Sequence, residues 1–185
     1  MNLVAFKTEI QNCTNCELCN IECNKKDISK GFGKLYGWGG RKCRFLFLGM
    51  NPSRIRFPGH EYCFGGIEGS TGVGKKFNVL LKELNFYNDI FIDNLVRCST
   101  LSNKINFKEA EVCFEHLENE IEILKPEKII TLGREVFSIL NKLFEKKHIK
   151  ISIANVLHPS YVFRYNKISL STYKESINKV CLEER

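Results

Sequence analysis

Cys13 and Cys16 are separated by two residues, a spacing that lets two thiolates reach one metal ion or one corner of an iron–sulfur cluster. Two sets of partners can complete the pair. Cys19 and Cys23 extend it to C-x2-C-x2-C-x3-C, the bacterial ferredoxin spacing, in which Pro follows the fourth cysteine and that cysteine serves a second cluster. Here Asn24 follows Cys23 and no second set of four is evident, which weakens this completion. Cys98 and Cys113 are the distant alternative, and four soft donors of either set suit a [4Fe–4S] cluster or zinc. Both distant cysteines can equally be small buried residues, as free cysteines most often are. Gly69-Ser-Thr-Gly-Val-Gly-Lys75 superficially matches a phosphate loop. The match fails, because Lys76 stands where Ser or Thr is required and EYCFGGIE before it is not a convincing strand. Amides at a helix start near Gly74, with Lys75 beside them, can still hold a phosphate.

Elements that alternate along the chain must position these groups. Arg44–Leu48 reads as a short buried strand that Gly49, Pro52 and Ser53 end abruptly, and Phe77, Val79, Leu80, Leu81 and Leu84 give Gly74–Leu84 helical spacing. Ile90–Val96 is a second strand. Phe107–Leu124 is an amphipathic helix with Asn106 as cap and Pro126 at its exit, followed by a third strand, Lys128–Leu132. Gly133 turns the chain into a helix through about Phe144, Ile149–Leu157 is the fourth strand, and Ser169–Cys181 closes as a helix. This alternation predicts an α/β fold, a three-layer αβα sandwich around a mainly parallel four-stranded sheet. Functional groups of such sheets gather at the carboxyl ends of the strands. Those ends carry Gly49–Ser53, Asn94–Cys98, Gly133 and His158–Tyr161.

At 185 residues and 43% hydrophobic content the chain fits one domain over 1–185, with an N-terminal arm of about 10–43 carrying the close-spaced cysteines. The formal charge of +7, from 28 basic and 21 acidic residues, favours a polyanionic partner. No apolar run approaches the roughly 18 residues of a membrane span, and the start MNLVAFKTEIQNC lacks the apolar core of a signal peptide. A cytoplasmic location is expected. Nine cysteines in a reducing compartment then read as metal or cluster ligands before disulfides.

CTNCELC, FLFLGMNPS, FIDNLVRC with a cysteine fifteen positions on, PEKIITLG and VLHPSYVFR occur in this order between about residues 10 and 166. Together they resemble the iron–sulfur uracil-DNA glycosylases of families 4 and 5. The resemblance implies an enzyme that flips uracil or a related pyrimidine out of DNA and hydrolyses its N-glycosidic bond, leaving an abasic site. It implies a [4Fe–4S] cluster on Cys13, Cys16, Cys98 and Cys113, with Cys19 present but not a ligand. Asn94 matches the asparagine that pairs with the base edge, and Gly49 and Met50 lie beside it. His158 matches the histidine that stabilises the departing base, and Ser160, Tyr161, Phe163 and Arg164 the segment that enters the minor groove. Ser53, Gly74 and Lys75 are expected on the DNA backbone. The implied partner is DNA, bound by a monomer, with no membrane and no protein partner inferable. The chemistry is sound in itself: an amide reads a pyrimidine edge with one donor and one acceptor, and a neutral imidazole donates to the leaving anion. Alone, Asn94 is as well explained by a turn cap and His158 by an ordinary strand-end position.

Three departures qualify the resemblance. Gly49-Met50-Asn51-Pro52-Ser53 is closer to the Gly-Met-Asn-Pro motif of the single-strand-selective and mismatch-specific branches than to the family 4 pattern, and implies that Asn51 orients the hydrolytic water. Arg54-Ile-Arg-Phe-Pro-Gly-His60 replaces an acidic stretch, so Arg54, Arg56 and His60 are candidates for phosphate or base contact, or plain solvated charge. Thr71-Gly72-Val73-Gly74 replaces Pro-Phe-Val-Gly, so that Tyr62 or Phe64 must supply the aromatic platform. An enlarged pocket would admit a 5-substituted pyrimidine, as in defence against modified DNA. A non-catalytic DNA-binding protein of the same fold is a further alternative.

Overall fold

The computed structural model describes residues 3–27, 33–40, 42–53, 61–66, 72–102 and 104–183. In chain order its elements are α1 (Leu3–Asn12), β1 (Trp38–Gly39), β2 (Phe45–Gly49), α2 (Gly72–Lys82), β3 (Ile90–Asn94), α3 (Phe107–Leu124), β4 (Lys128–Leu132), α4 (Arg134–Lys147), β5 (Ser152–Val156), α5 (Pro159–Phe163) and α6 (Leu170–Leu182). Short 3-10 turns occupy Glu17–Asn20, Glu22–Asn24, Cys63–Gly65 and Tyr87–Asp89.

The strands form one sheet in the order β1-β3-β2-β4-β5. The four expected strands pair in parallel. A fifth, the two-residue β1, adds antiparallel at the β3 edge, Trp38 opposite Ile92; two residues are too few to leave an alternating pattern. Alternation through β2 divides the core between two faces. Leu46 and Leu48 point into a layer with Phe114 and Leu117 of α3 and Leu140 and Leu143 of α4. Phe45 and Phe47 point into a layer with Phe77, Leu80 and Leu81 of α2 and Tyr173 and Ile177 of α6. The αβα expectation therefore holds.

The best-resolved boundary in the sequence is the start of α3. Asn106 accepts the Glu109 backbone N–H at 2.8 Å and the Glu109 carboxylate accepts that of Asn106 at 2.8 Å, a reciprocal capping box. The helix exits through Lys125 in a left-handed conformation before Pro126. Two helices were not legible in the sequence. α1 has only Phe6 and Ile10 to bury, and it docks on α3 by a hydrogen bond between the Glu9 carboxylate and His116 Nδ1 at 3.2 Å. α5 occupies the segment after His158, where the sequence reading placed no helix: Pro159 opens it as a first-turn proline and His158 caps it. Among the described residues no helix is long and apolar enough to cross a membrane.

Replacing Asn106 by Ala removes the side-chain half of the capping box. It is expected to cost about 1 kcal/mol and to lower the melting temperature by about 2–4 °C. Thermal unfolding checks this; an unchanged melting temperature contradicts the assignment.

Candidate active site

The strand order reverses about β2, and the segments leaving β2, β3 and β5 open at one end of the sheet, where α/β folds bind ligands. The first two segments are zipped together. Gly49 lies opposite Asn94 in the parallel register, Leu95 donates to the Gly49 carbonyl at 2.8 Å and Val96 to that of Met50 at 2.9 Å. Ser99 Oγ then donates to the Ser53 carbonyl at 3.1 Å. The Met50 side chain packs toward the α3–α4 core layer. Asn51 is half-buried, and its Nδ2 donates to the Pro52 carbonyl at 3.2 Å.

Gly49 is where the site is tightest. A Cβ there would stand 2.4 Å from Asn94 Oδ1 and 2.9 Å from the ring of Phe64, so only glycine lets the side chain of Asn94 and the aromatic ring meet over the strand end. Phe64 reaches this place because its backbone is left-handed, φ 51°. Gly74 accepts the resulting close approach, since a Cβ on it would lie 2.4 Å from the Phe64 carbonyl oxygen. The Phe64 ring packs on Phe77 at 5.9 Å and on the imidazole of His158 at 6.3 Å between centroids. Gly49, Phe64, Asn94 and His158 thus converge. Tyr62, the other candidate platform, is engaged elsewhere: Lys7 donates to its hydroxyl at 3.1 Å, and its ring meets Tyr36.

His158 is set for one tautomer. Its Nδ1 accepts the backbone N–H of Ser160 at 3.2 Å, so in the neutral ring the proton sits on Nε2, the nitrogen free to donate. Burial, followed by the charge of Arg164, pushes its pKa below the ordinary 6.5, which keeps the ring neutral at pH 7. Beyond it, Tyr161, Arg164 and Tyr165 are exposed, with the two tyrosine rings 6.2 Å apart. Ser160 is half-buried. Phe163, expected at the DNA, instead packs inward on Tyr173 at 6.4 Å and lines a groove with Lys75, Val79 and Leu170. Its position in the last turn of α5 leaves it half-buried and turned toward Tyr173. Arg54, Arg56 and His60 lie outside the described residues.

The four cysteines of the distant set act on one another. Burial, then Cys113, and further Cys16 and Cys13, push the Cys98 thiol up to about 12, with Lys34 opposing. Cys113 is pushed up to about 11 by burial, with Cys13 and Cys16 adding to it and Arg97 opposing. Among the described residues no group of three or more His, Cys, Asp or Glu is arranged to hold a single metal ion. The arm also has a staple made of protein alone, which the sequence reading missed: Asn24 Nδ2 donates to the carbonyls of Leu18 and Ser99, each at 2.8 Å, and its Oδ1 accepts from the Ser99 N–H at 2.8 Å.

Residues 36–181 match the family described as the uracil DNA glycosylase superfamily. This chain belongs to that superfamily. Among its curated relatives, the type-4 uracil-DNA glycosylase of Saccharolobus solfataricus is 29% identical across 93% of this chain and 74% of its own length. That of Sulfurisphaera tokodaii is 28% identical across 90% and 69%. In fold, the glycosylase-superfamily chain is similar to the crystal structure of SMUG2 from Pedobacter heparinus, with a TM-score of 0.55 at 15% identity over 75% of this chain and 74% of that one.

Because burial and Arg164 both disfavour the imidazolium, its depressed pKa stabilises the fold fully above 6.5, and this contribution is lost as pH falls through the folded value. Arg164→Gln is expected to move the His158 titration up toward 6.5 in an NMR pH series. A wild-type midpoint at or above the ordinary value, or no upward movement in the variant, contradicts this account.

Proposed function

We propose that this protein is a monofunctional DNA glycosylase that flips uracil out of DNA and hydrolyses its N-glycosidic bond. The observation that carries the reading is the convergence of Asn94, Phe64 and His158 over Gly49, with the proton of the neutral imidazole on Nε2. Extruding a nucleotide costs a few kcal/mol, and a pocket recovers that cost by stacking and edge recognition. Phe64 is the stacking face. Asn94, only 3% exposed, presents an amide donor and acceptor to the pyrimidine edge, and its burial makes a mismatched edge expensive. As the bond from C1′ to the base nitrogen breaks, its electron pair passes to the ring, and the His158 Nε2–H donates to the developing charge on O2. A water adds its oxygen to C1′, and the proton it loses passes to solvent, from which the released base anion is neutralised in turn; Asn51 orients that water and is too weak a base to take the proton itself. Tyr161, Arg164 and Tyr165 form the surface that meets DNA, with Ser160, Ser53 and Lys75 near the backbone.

The family resemblance implies a [4Fe–4S] cluster on Cys13, Cys16, Cys98 and Cys113, and four thiolates are the donor set that such a cluster takes. Each distant cysteine lies within the field of both arm cysteines, and the cations Lys34 and Arg97 offset thiolate charge. Hydrolysis transfers no electrons, so a bound cluster supplies a staple between the arm and the loop after β3. Cys98→Ser is expected to lower iron content, melting temperature and DNA affinity together; retention of all three contradicts this ligand set.

The activity is tested with labelled single- and double-stranded oligonucleotides containing uracil, hypoxanthine or 5-substituted cytosine, treated with alkali to break abasic sites. Uracil release is expected, reduced on the order of 100-fold in Asn51→Ala through loss of the aligned water. Release from substituted pyrimidines alone would move the reading to modified-base excision. DNA binding without cleavage of any substrate would replace it with a binding protein.

A further inference from the structure

Three charged side chains lie sealed behind the base-reading strand end. Asp93, Arg97 and Glu120 are 0%, 1% and 1% exposed. Arg97 forms an ion pair with Asp93, and its Nη2 donates to Glu120 Oε2 at 2.9 Å. Two carboxylates thus face one guanidinium, and burial, together with the Asp93 charge, pushes Glu120 well above the usual carboxylate range despite Arg97. A buried network of this kind is weak evidence for stability, because an apolar set of similar volume holds a core at least as well.

Its connections are more telling. The Asp93 carboxylate accepts the backbone N–H of Asn94 at 2.6 Å, so the peptide that carries the base-reading amide is hydrogen-bonded to the network. The backbone N–H of Arg97 meets Cys113 Sγ at 3.5 Å, and Arg97 is the chain neighbour of Cys98. Glu120 fixes the far end to α3, two turns beyond Cys113. One guanidinium therefore ties the Asp93–Asn94 peptide to the helix and loop that carry two of the four cysteines.

We propose that Asp93, Arg97 and Glu120 are positioning residues for Asn94, holding its amide in the orientation that reads the base and coupling that orientation to the four-cysteine site. The proposal rests on the glycosylase reading for its effect on catalysis, while its structural core concerns the Asn94 peptide alone. A geometric role for the charges explains why they persist where packing alone would favour apolar residues.

The test is a cycle with the charge-free variant Asp93→Asn/Arg97→Met/Glu120→Gln and the conservative Arg97→Lys, each made with and without Asn94→Ala. Uracil release, iron content, melting temperature and exchange of the Asn94 amide are measured. In the charge-free variant the amide should exchange about tenfold faster with iron and melting temperature near wild type, a local loosening. Uracil release should fall about tenfold where Asn94 is present and less than about twofold where it is replaced, the signature of residues acting through one another. Arg97→Lys should recover part of the loss. Equal losses in both backgrounds, or unchanged amide exchange, overturn the proposal. If the charge-free variant does not fold, the Arg97→Lys cycle decides by the same criteria. If the wild-type protein releases no uracil, the glycosylase reading fails and amide exchange alone decides the positioning role.

Discussion

The parallel pairing of β2 with β3, in register from Phe45 opposite Ile90 to Gly49 opposite Asn94, is the constraint on which the site depends. Both strands are buried along their whole length, so a polar group within them needs a buried partner, as Asp93 has in Arg97, and one that is to meet a ligand stands where the strands end. The register brings the glycine that ends one strand against the asparagine that ends the other. Because the chain continues the pairing for two more hydrogen bonds past the strands, the Met50–Ser53 segment is carried alongside Leu95–Ser99. A one-residue slip would place every β3 side chain on the opposite face and bury Asn94 in a core layer.

Around that junction the structure uses small residues to admit large ones. Gly49 leaves room for Asn94 and Phe64, and Gly74 for the strained turn that delivers Phe64. The Phe64 ring thus enters the strand-end junction from a different point in the chain than Gly72, and it meets His158.

The arm and the loop after β3 are joined twice. Asn24 clamps Ser99 with two hydrogen bonds of 2.8 Å and donates a third of 2.8 Å to the Leu18 carbonyl, and the two arm cysteines stand in the field of Cys98 and Cys113. A buried amide satisfied on both its donor and acceptor sides specifies one geometry, so the clamp holds the arm against the loop after β3. α1 adds Phe6, Ile10 and the Glu9–His116 pair on the outer side of α3.

The sequence by itself determined the layered α/β architecture, four of the strands and the start of α3, because periodicity, capping residues and Gly or Pro punctuation act over a few neighbouring residues. It also placed Gly49, Asn94 and His158 at strand ends. Signals for the buried network were there as well, with Asp93 inside the apolar run Ile90–Val96, Arg97 directly after it, and Glu120 on the same helical stripe as Phe114 and Leu117. They went unread because a charge on a buried stripe names no partner until the elements are packed. Only the tertiary structure brought Phe64 rather than Tyr62 against Gly49 and His158, turned Phe163 toward Tyr173, added β1 and α1, and fixed the tautomer of His158. Each of these depends on contacts between residues distant in the chain or on a hydrogen bond to one backbone amide, and spacing along a sequence carries neither.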